Sequence, residues 1–407
     1  MALIDPDLIA AAIAELSPQF GEIDLQVKQN LAKVLAAFRV YRVGAHHFAS
    51  VSGYGHDDLG REVIDQVFAQ VMGAEAAAVR VQFVSGTHAI ACCLFGILRP
   101  GDQLLSVVGA PYDTLEQVIG TRPGATGSLK DFGIGYDQVE LNSAGKVDWQ
   151  ALDRAVKPHT KMVLIQRSCG YDWRASLAIA EIGEIVRRVK AQNPNTVCFV
   201  DNCYGEFVED LEPPQVGADL IAGSLIKNPG GTIVTAGGYV AGKADYVAAA
   251  AARLTAPGIG LGAGATFDQN RLLLQGLFLA PQMVGEAIKG NYLAAYIFER
   301  LGYEVKPLPF EPRRDVIQAI KLGNAARLIS FCRNLQRCSP IDAYVDPVPA
   351  PMPGYDSQLV MAGGTFIDGS TSELSADGPL REPYVVFLQG GTHWTHVAIA
   401  LENFDLE

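Results

Sequence analysis

Apolar positions in the first 40 residues return at helical spacing. Ile23, Val27, Leu31, Val34, Leu35 and Phe38 fall on one stripe, so the first 40 residues are expected to be helical, Glu22–Val40 included. A glycine-rich stretch from Val43 to Gly60 shows no period, and a second helix is expected from about Asp57 to Met72, using Val63, Val67 and Val71. The pattern then changes. Short apolar runs predict strands at Val81–Val84, Gln103–Val108, Met162–Ile165, Val197–Val200, Leu220–Ser224 and Gly238–Val240. Helical patterns fall between several of them, at Thr87–Leu98, Asp148–Val156 and Ser176–Ala191, so a mostly parallel, helix-covered sheet is expected. A long helical stretch near Thr266–Arg300 carries Pro281, which is expected to interrupt it. The remainder alternates again, with Val316–Ile320, Ala325–Leu335, Leu359–Ala362 and Tyr384–Leu388 as elements and Pro347–Pro353 as a loop. The division expected is a helical arm (1–42), a large α/β domain (43–290) and a smaller C-terminal α/β domain (291–407), without internal repeats.

Composition narrows the function classes. A chain of 407 residues, half hydrophobic and 19% charged, is long enough for two cores. Its net charge of −12 sets it against nucleic acid and anionic lipid as partners. The seven cysteines form no Cys-x-x-Cys pair and sit mostly in apolar runs, so reduced buried thiols and a cytoplasmic setting are expected. Met1 to Leu16 carries Asp5 and Asp7 but no early basic residue, unlike a signal peptide, and no apolar run is long enough for a bilayer.

Four local signals carry chemistry. Ser85-Gly86-Thr87 opens a helix directly after an apolar run; free amide groups at such a junction suit a phosphate, although for the triplet alone an ordinary helix cap is the stronger reading. Asp201 ends the run Val197–Val200, where a carboxylate needs a partner, either a ring N–H or a metal helped by Asn202, Tyr204, Glu206 and Glu209. Lys227 ends Ser224-Leu225-Ile226-Lys227 before a glycine-rich turn, where burial is expected to lower its pKa and free the amine to attack a carbonyl. The Ser-x-x-Lys spacing also fits a serine β-lactamase, but neither partner motif of that family occurs. Tyr112 follows the turn Gly109-Ala110-Pro111, where an aromatic ring stacks on a planar cofactor or simply packs the loop. Together, a phosphate cradle, a stacking ring, an acid and a lysine 26 residues after it are what pyridoxal 5'-phosphate (PLP) requires.

The order of these segments resembles the fold-type I PLP enzymes, and within them the carbon–sulfur lyases of cysteine and methionine metabolism. The nearest likeness is to methionine gamma-lyase-like and cystathionine beta-lyase-like proteins of the aluminium-resistance branch. It rests on Gly53 to Arg61, Val84 to Ile90, Ile165 to Tyr171, Val200 to Phe207 and Ser224 to Gly231, and spans nearly the whole chain. Core members carry a threonine where this chain has Ile226, and their closely spaced Tyr and Arg are here Tyr54 and Arg61. The resemblance implies the following: PLP as a Schiff base on Lys227; Ser85, Gly86, Thr87, Tyr112, Asp201 and Ser224 around the cofactor; Tyr54 and Arg61 reaching a neighbour's phosphate; Arg381 holding the substrate carboxylate; and a homotetramer built from dimers. Lys227, Tyr112 and Asp201 are the expected catalytic set, the substrate an amino acid, and the reaction β- or γ-elimination from a sulfur amino acid. An aminotransferase or aldolase on the same scaffold, or a non-catalytic stress-response protein, remains the alternative.

Other motifs read as decoys. Gly237 to Ala244 nearly matches a P-loop but lacks its Ser/Thr, Gly258 to Gly264 has no preceding strand and is expected to be a mobile loop, and His393 with His396 is a poor zinc pair, so no metal is expected. His88 is expected to pack behind the cradle.

Overall fold

The alternation of short apolar runs with helical stretches produces one seven-stranded sheet. The computed structural model describes residues 3–124 and 126–405. Its strands are β1 (Ala76–Arg80), β2 (Gln103–Ser106), β3 (Gly135–Gln138), β4 (Thr160–Gln166), β5 (Val197–Asp201), β6 (Leu220–Ser224) and β7 (Gly238–Gly242), in the order β1-β7-β6-β5-β4-β2-β3. Strands β2 to β6 run parallel, and β7 is antiparallel to both its neighbours. The helices are α1 (Pro6–Val40), α2 (Leu59–Met72), α3 (Gly86–Ile97), α4 (Asp113–Ile119), α5 (Trp149–Ala155), α6 (Ile179–Gln192), α7 (Ala244–Leu254), α8 (Asn270–Arg300), α9 (Ala325–Arg337) and α10 (Trp394–Glu402).

Strand periodicity of two divides the core. Met162 and Leu164 join the layer under α3, α4 and α7, while Val163 and Ile165 join the layer with α2 and α6. Both faces of the sheet are therefore dry, which is why its central strands read as unbroken apolar runs. A second, five-stranded sheet contains β8 (Glu304–Lys306), β9 (Ile317–Lys321), β10 (Leu359–Ala362), β11 (Ser375–Pro379) and β12 (Val385–Gln389), in the order β10-β11-β12-β9-β8 and antiparallel throughout. No helix among the described residues is long and apolar enough to cross a membrane.

Two expected elements differ. The strand expected at Val81–Val84 lies earlier, at Ala76–Arg80. The chain leaves the sheet there because Arg80 is fastened to Asp65 at 2.7 Å, and the following segment buries Phe83 and turns outward to deliver Ser85 to the start of α3. Pro281 does not break α8, which runs unbroken over 31 residues. Tertiary packing outweighs the lost hydrogen bond: Leu277, Ala280 and Val284 are buried around it, and α1 lies so close that a Cβ at Gly285 would meet Val27 at 2.3 Å.

Candidate active site

The C-terminal ends of the parallel strands open onto a cavity of about 250 Å³, the usual ligand position in such sheets. Ser85, Gly86, Thr87, Tyr112, Asp201, Ser224 and Lys227 all line it. Ser85 caps α3, its Oγ accepting the His88 amide at 3.1 Å, and His88 in turn accepts the Val84 amide through Nδ1 at 3.1 Å. The serine is thus a helix cap as well as a cavity wall. A Cβ at Gly86 would stand 3.1 Å from Ser224 Cβ and 3.3 Å from Cys203 Sγ, so glycine lets the helix begin against the end of β6. The amides of Gly86 and Thr87 belong to the first turn of α3, where helical partners are lacking.

Tyr112 enters from the turn before α4. Its amide donates to Gln166 Oε1 at 2.9 Å, and its hydroxyl lies 2.9 Å from Thr87 Oγ1. Burial pushes the phenol well above its ordinary range, with the Asp201 charge adding to it, so it stays protonated. Asp201 ends β5, and its Oδ1 accepts the Cys203 amide at 3.1 Å. Burial pushes its carboxyl up to about 6, against the pull of the Cys203 hydrogen bonds and Lys227.

Lys227 Nζ donates to the Tyr204 hydroxyl at 2.8 Å. Burial pulls the amine down, but the acidic groups facing it, Tyr204 first, then Cys203 and Asp377, outweigh burial and leave its pKa raised. The expectation of an amine lowered by burial is therefore corrected: desolvation acts as expected, and the neighbours reverse its sign. Tyr204 itself has φ +70, a left-handed backbone uncommon for a bulky residue and one that concentrates at functional sites.

Tyr171, Tyr355, Gln166 and Asp377 line the same cavity and were not singled out as site residues by the sequence, and Tyr204, which also lines it, was named there only as a possible helper of a metal. Tyr204, three residues after Asp201, was recoverable from that spacing. Asp377 comes from β11 and has no local signal.

Three expected site residues do not line this cavity of their own chain. Tyr54 is 81% exposed and outside the cavity. Arg61 is buried, and its Nη1 donates to the carbonyls of Gly55 at 2.5 Å and Gly264 at 2.9 Å within its own chain. It straps down the 258–264 segment, which was expected to be mobile and which Gly264 also ties to the Tyr54 carbonyl at 2.8 Å. Arg381 lies in an adjoining cavity that shares Tyr112, Gln166 and Tyr171 with the first, and its Nη1 is 3.4 Å from Asp113. Of the decoys, Lys243 pairs with Asp219 at 2.7 Å, His393 caps α10, and His396 contacts the Cys338 carbonyl at 2.8 Å.

Behind Asp201, Glu206 is fully buried. Its Oε1 accepts the Tyr239 hydroxyl at 2.6 Å, and Oε2 has no hydrogen-bond partner. Burial pushes this carboxyl from an ordinary 4.5 up to about 8, with the Tyr239 hydrogen bond opposing. The folded protein keeps a proton that the unfolded chain releases, so this stabilisation is complete below the unfolded value and is lost as pH rises through about 8. Glu206→Gln retains an acceptor for Tyr239 without titrating. Urea unfolding at about pH 5 and about pH 8 is expected to show a smaller loss of stability in the variant than in the wild type. Equal losses would contradict the assignment.

The methionine gamma-lyase family pattern matches residues 6–405. YnbB of Bacillus subtilis (strain 168) is 49% identical over 394 residues, which is 97% of this chain and 93% of that protein. The solved structure of a carbon–sulfur lyase involved in aluminum resistance from Clostridium novyi NT has a TM-score of 0.93 at 47% identity, covering 98% of this chain and 94% of that one. The pyridoxal-5'-phosphate-dependent protein YhfS of Escherichia coli has a TM-score of 0.60 at 16% identity, over 92% of this chain and 94% of that one, and so shares the fold. The architecture is that of the fold-type I PLP-dependent enzymes, and the chain belongs to the methionine gamma-lyase family.

Proposed function

We propose that the protein is a PLP-dependent lyase that cleaves a carbon–sulfur bond in an amino acid, releasing a thiol or sulfide, ammonia and a keto acid. The observation that carries this reading is the convergence of Lys227 and Asp201 on one cavity walled by the start of α3. The residues fit the cofactor. Gly86 lets α3 begin against the end of β6, and its first-turn amides with the Ser224 hydroxyl suit a phosphate. Asp201 is buried with its carboxyl raised, the state of an acid that lacks a strong partner and that suits the pyridine nitrogen. Tyr112 suits the ring face, and Lys227 the aldehyde. When bound, PLP supplies an electron sink next to the substrate α-carbon.

The remaining work falls to the chain. Lys227 Nζ, once released, is the base for the α-proton, and the Tyr204 hydroxyl that accepts its hydrogen bond fixes its direction. The Tyr112 hydroxyl, kept protonated by burial, is the donor for the departing sulfur. Arg381 serves the substrate carboxylate, with Asp113 as its resting partner. Ile226, Ile317 and Phe387 line the cavity with apolar surface and limit water. The arm, large and small domains divide at about 42 and 290, and the assembly is a cytoplasmic homotetramer; an active monomer in light scattering would refute the latter.

The test is to incubate the holoenzyme separately with cystathionine, cysteine, methionine and homocysteine and to follow keto acid and free thiol. At least one is expected to yield both. Efficient transfer of the amino group to an added keto acid, without thiol release, would replace the lyase with an aminotransferase.

A further inference from the structure

One wall of the Lys227 cavity comes from the five-stranded sheet. Ile317 of β9, Asp377 of β11, and Phe387 and Gln389 of β12 reach it from that side. Asp377 is the only carboxylate this sheet contributes to the cavity among the described residues. Its oxygens accept a hydrogen bond from the neutral Tyr171 hydroxyl, and the cation acting on it is Lys227, the amine that the reading above gives to the cofactor. A carboxylate in an apolar wall without a dedicated cation has an unmet demand for a donor, and the cavity gives a ligand access to it.

We infer that Asp377 is a specificity-determining residue that selects amino acids carrying a second, positively charged amine at the end of the side chain over amino acids with a plain alkyl or thioether end. This rests on reading the cavity as an amino-acid site. The other titratable groups facing Asp377 are Tyr171 after β4, Tyr204 after β5, Tyr355 in the loop before β10 and Cys332 on α9. Burial pushes all four above their ordinary values, so at neutral pH none adds a charge. Asp377 itself is pushed by burial up to about 6 and is mostly ionised near pH 7.

L-Lysine and L-norleucine test this directly, because they share a carbon chain, differ at the terminal ammonium and carry no sulfur leaving group. Binding of each to the holoenzyme is measured by calorimetry or by competition. Near pH 8, lysine is expected to bind about 10–100-fold more tightly, the range of a charge-assisted hydrogen bond. The preference is expected to shrink below about pH 6, as Asp377 takes up a proton. Asp377→Asn is expected to bring the two ligands within about threefold by weakening lysine alone, while Asp377→Glu keeps the preference. Equal binding in the wild type, or an Asn variant that weakens both ligands in proportion, would overturn the inference. The lyase reading is judged separately. A preference for lysine without keto-acid release from any sulfur amino acid sinks that reading alone, and elimination without the preference sinks this one alone.

Discussion

Lys227→Ala is expected to lose covalent cofactor attachment and to cut turnover by about 10³–10⁴-fold, the combined scale of a lost attachment point and a lost general base. No other lysine among the described residues lines the cavity, so none stands ready as a substitute. Lys243, the nearest lysine in sequence, is turned toward Asp219 at 2.7 Å. The variant should still fold, because Lys227 makes one side-chain hydrogen bond, to Tyr204, and Tyr204 keeps its place in the turn after β5. The measurements are single-turnover keto-acid release and the absorbance of the cofactor before and after dialysis. Retention of bound cofactor through denaturation, with turnover near that of the wild type, would remove Lys227 from the mechanism.

The second large effect is expected at Asp201. Asp201→Ala removes the acid proposed to pair with the cofactor ring and is expected to lower kcat by about 10²–10³-fold, comparable to the loss of one preorganised electrostatic contact in a dry site. Cofactor binding should persist, because the proposed phosphate cradle of Ser85, Gly86 and Thr87 is built by α3 and does not depend on β5 for its amides. The pairing also predicts a spectral change. A carboxylate beside the ring nitrogen favours its protonated form, at about 1.4 kcal/mol per pKa unit, and the variant's cofactor spectrum should reflect the neutral ring. A near-normal kcat with an unchanged spectrum would show that Asp201 is structural.

Much of this site was legible because of where polar residues interrupt apolar ones. Strands β4, β5 and β6 are buried on both faces, so their apolar runs are unbroken, and polar residues stand out at their ends: Asp201 closes β5, and Ser224 closes β6 three residues before Lys227. Strand β11 carries no such mark. Its Ser-Ala-Asp-Gly-Pro sequence has low strand propensity, its pairing with β10 and β12 is long-range, and Asp377 reaches the cavity through tertiary packing alone. Arg61 illustrates another limit: within its own chain the guanidinium binds the carbonyls of Gly55 and Gly264, contacts that no local sequence signal marks. The Lys227 amine failed for a third reason: its burial was foreseeable, and the ring of acidic neighbours that reverses the effect was not.

Everything proposed for the site depends on the cofactor residing on Lys227. Borohydride reduction of the purified protein, followed by proteolysis and peptide mapping, tests it most directly. One reduced pyridoxyl group is expected on the peptide containing Ser224 to Gly231, at Lys227. A label on Lys243 or another lysine, or a protein that takes up no cofactor at all, would contradict it.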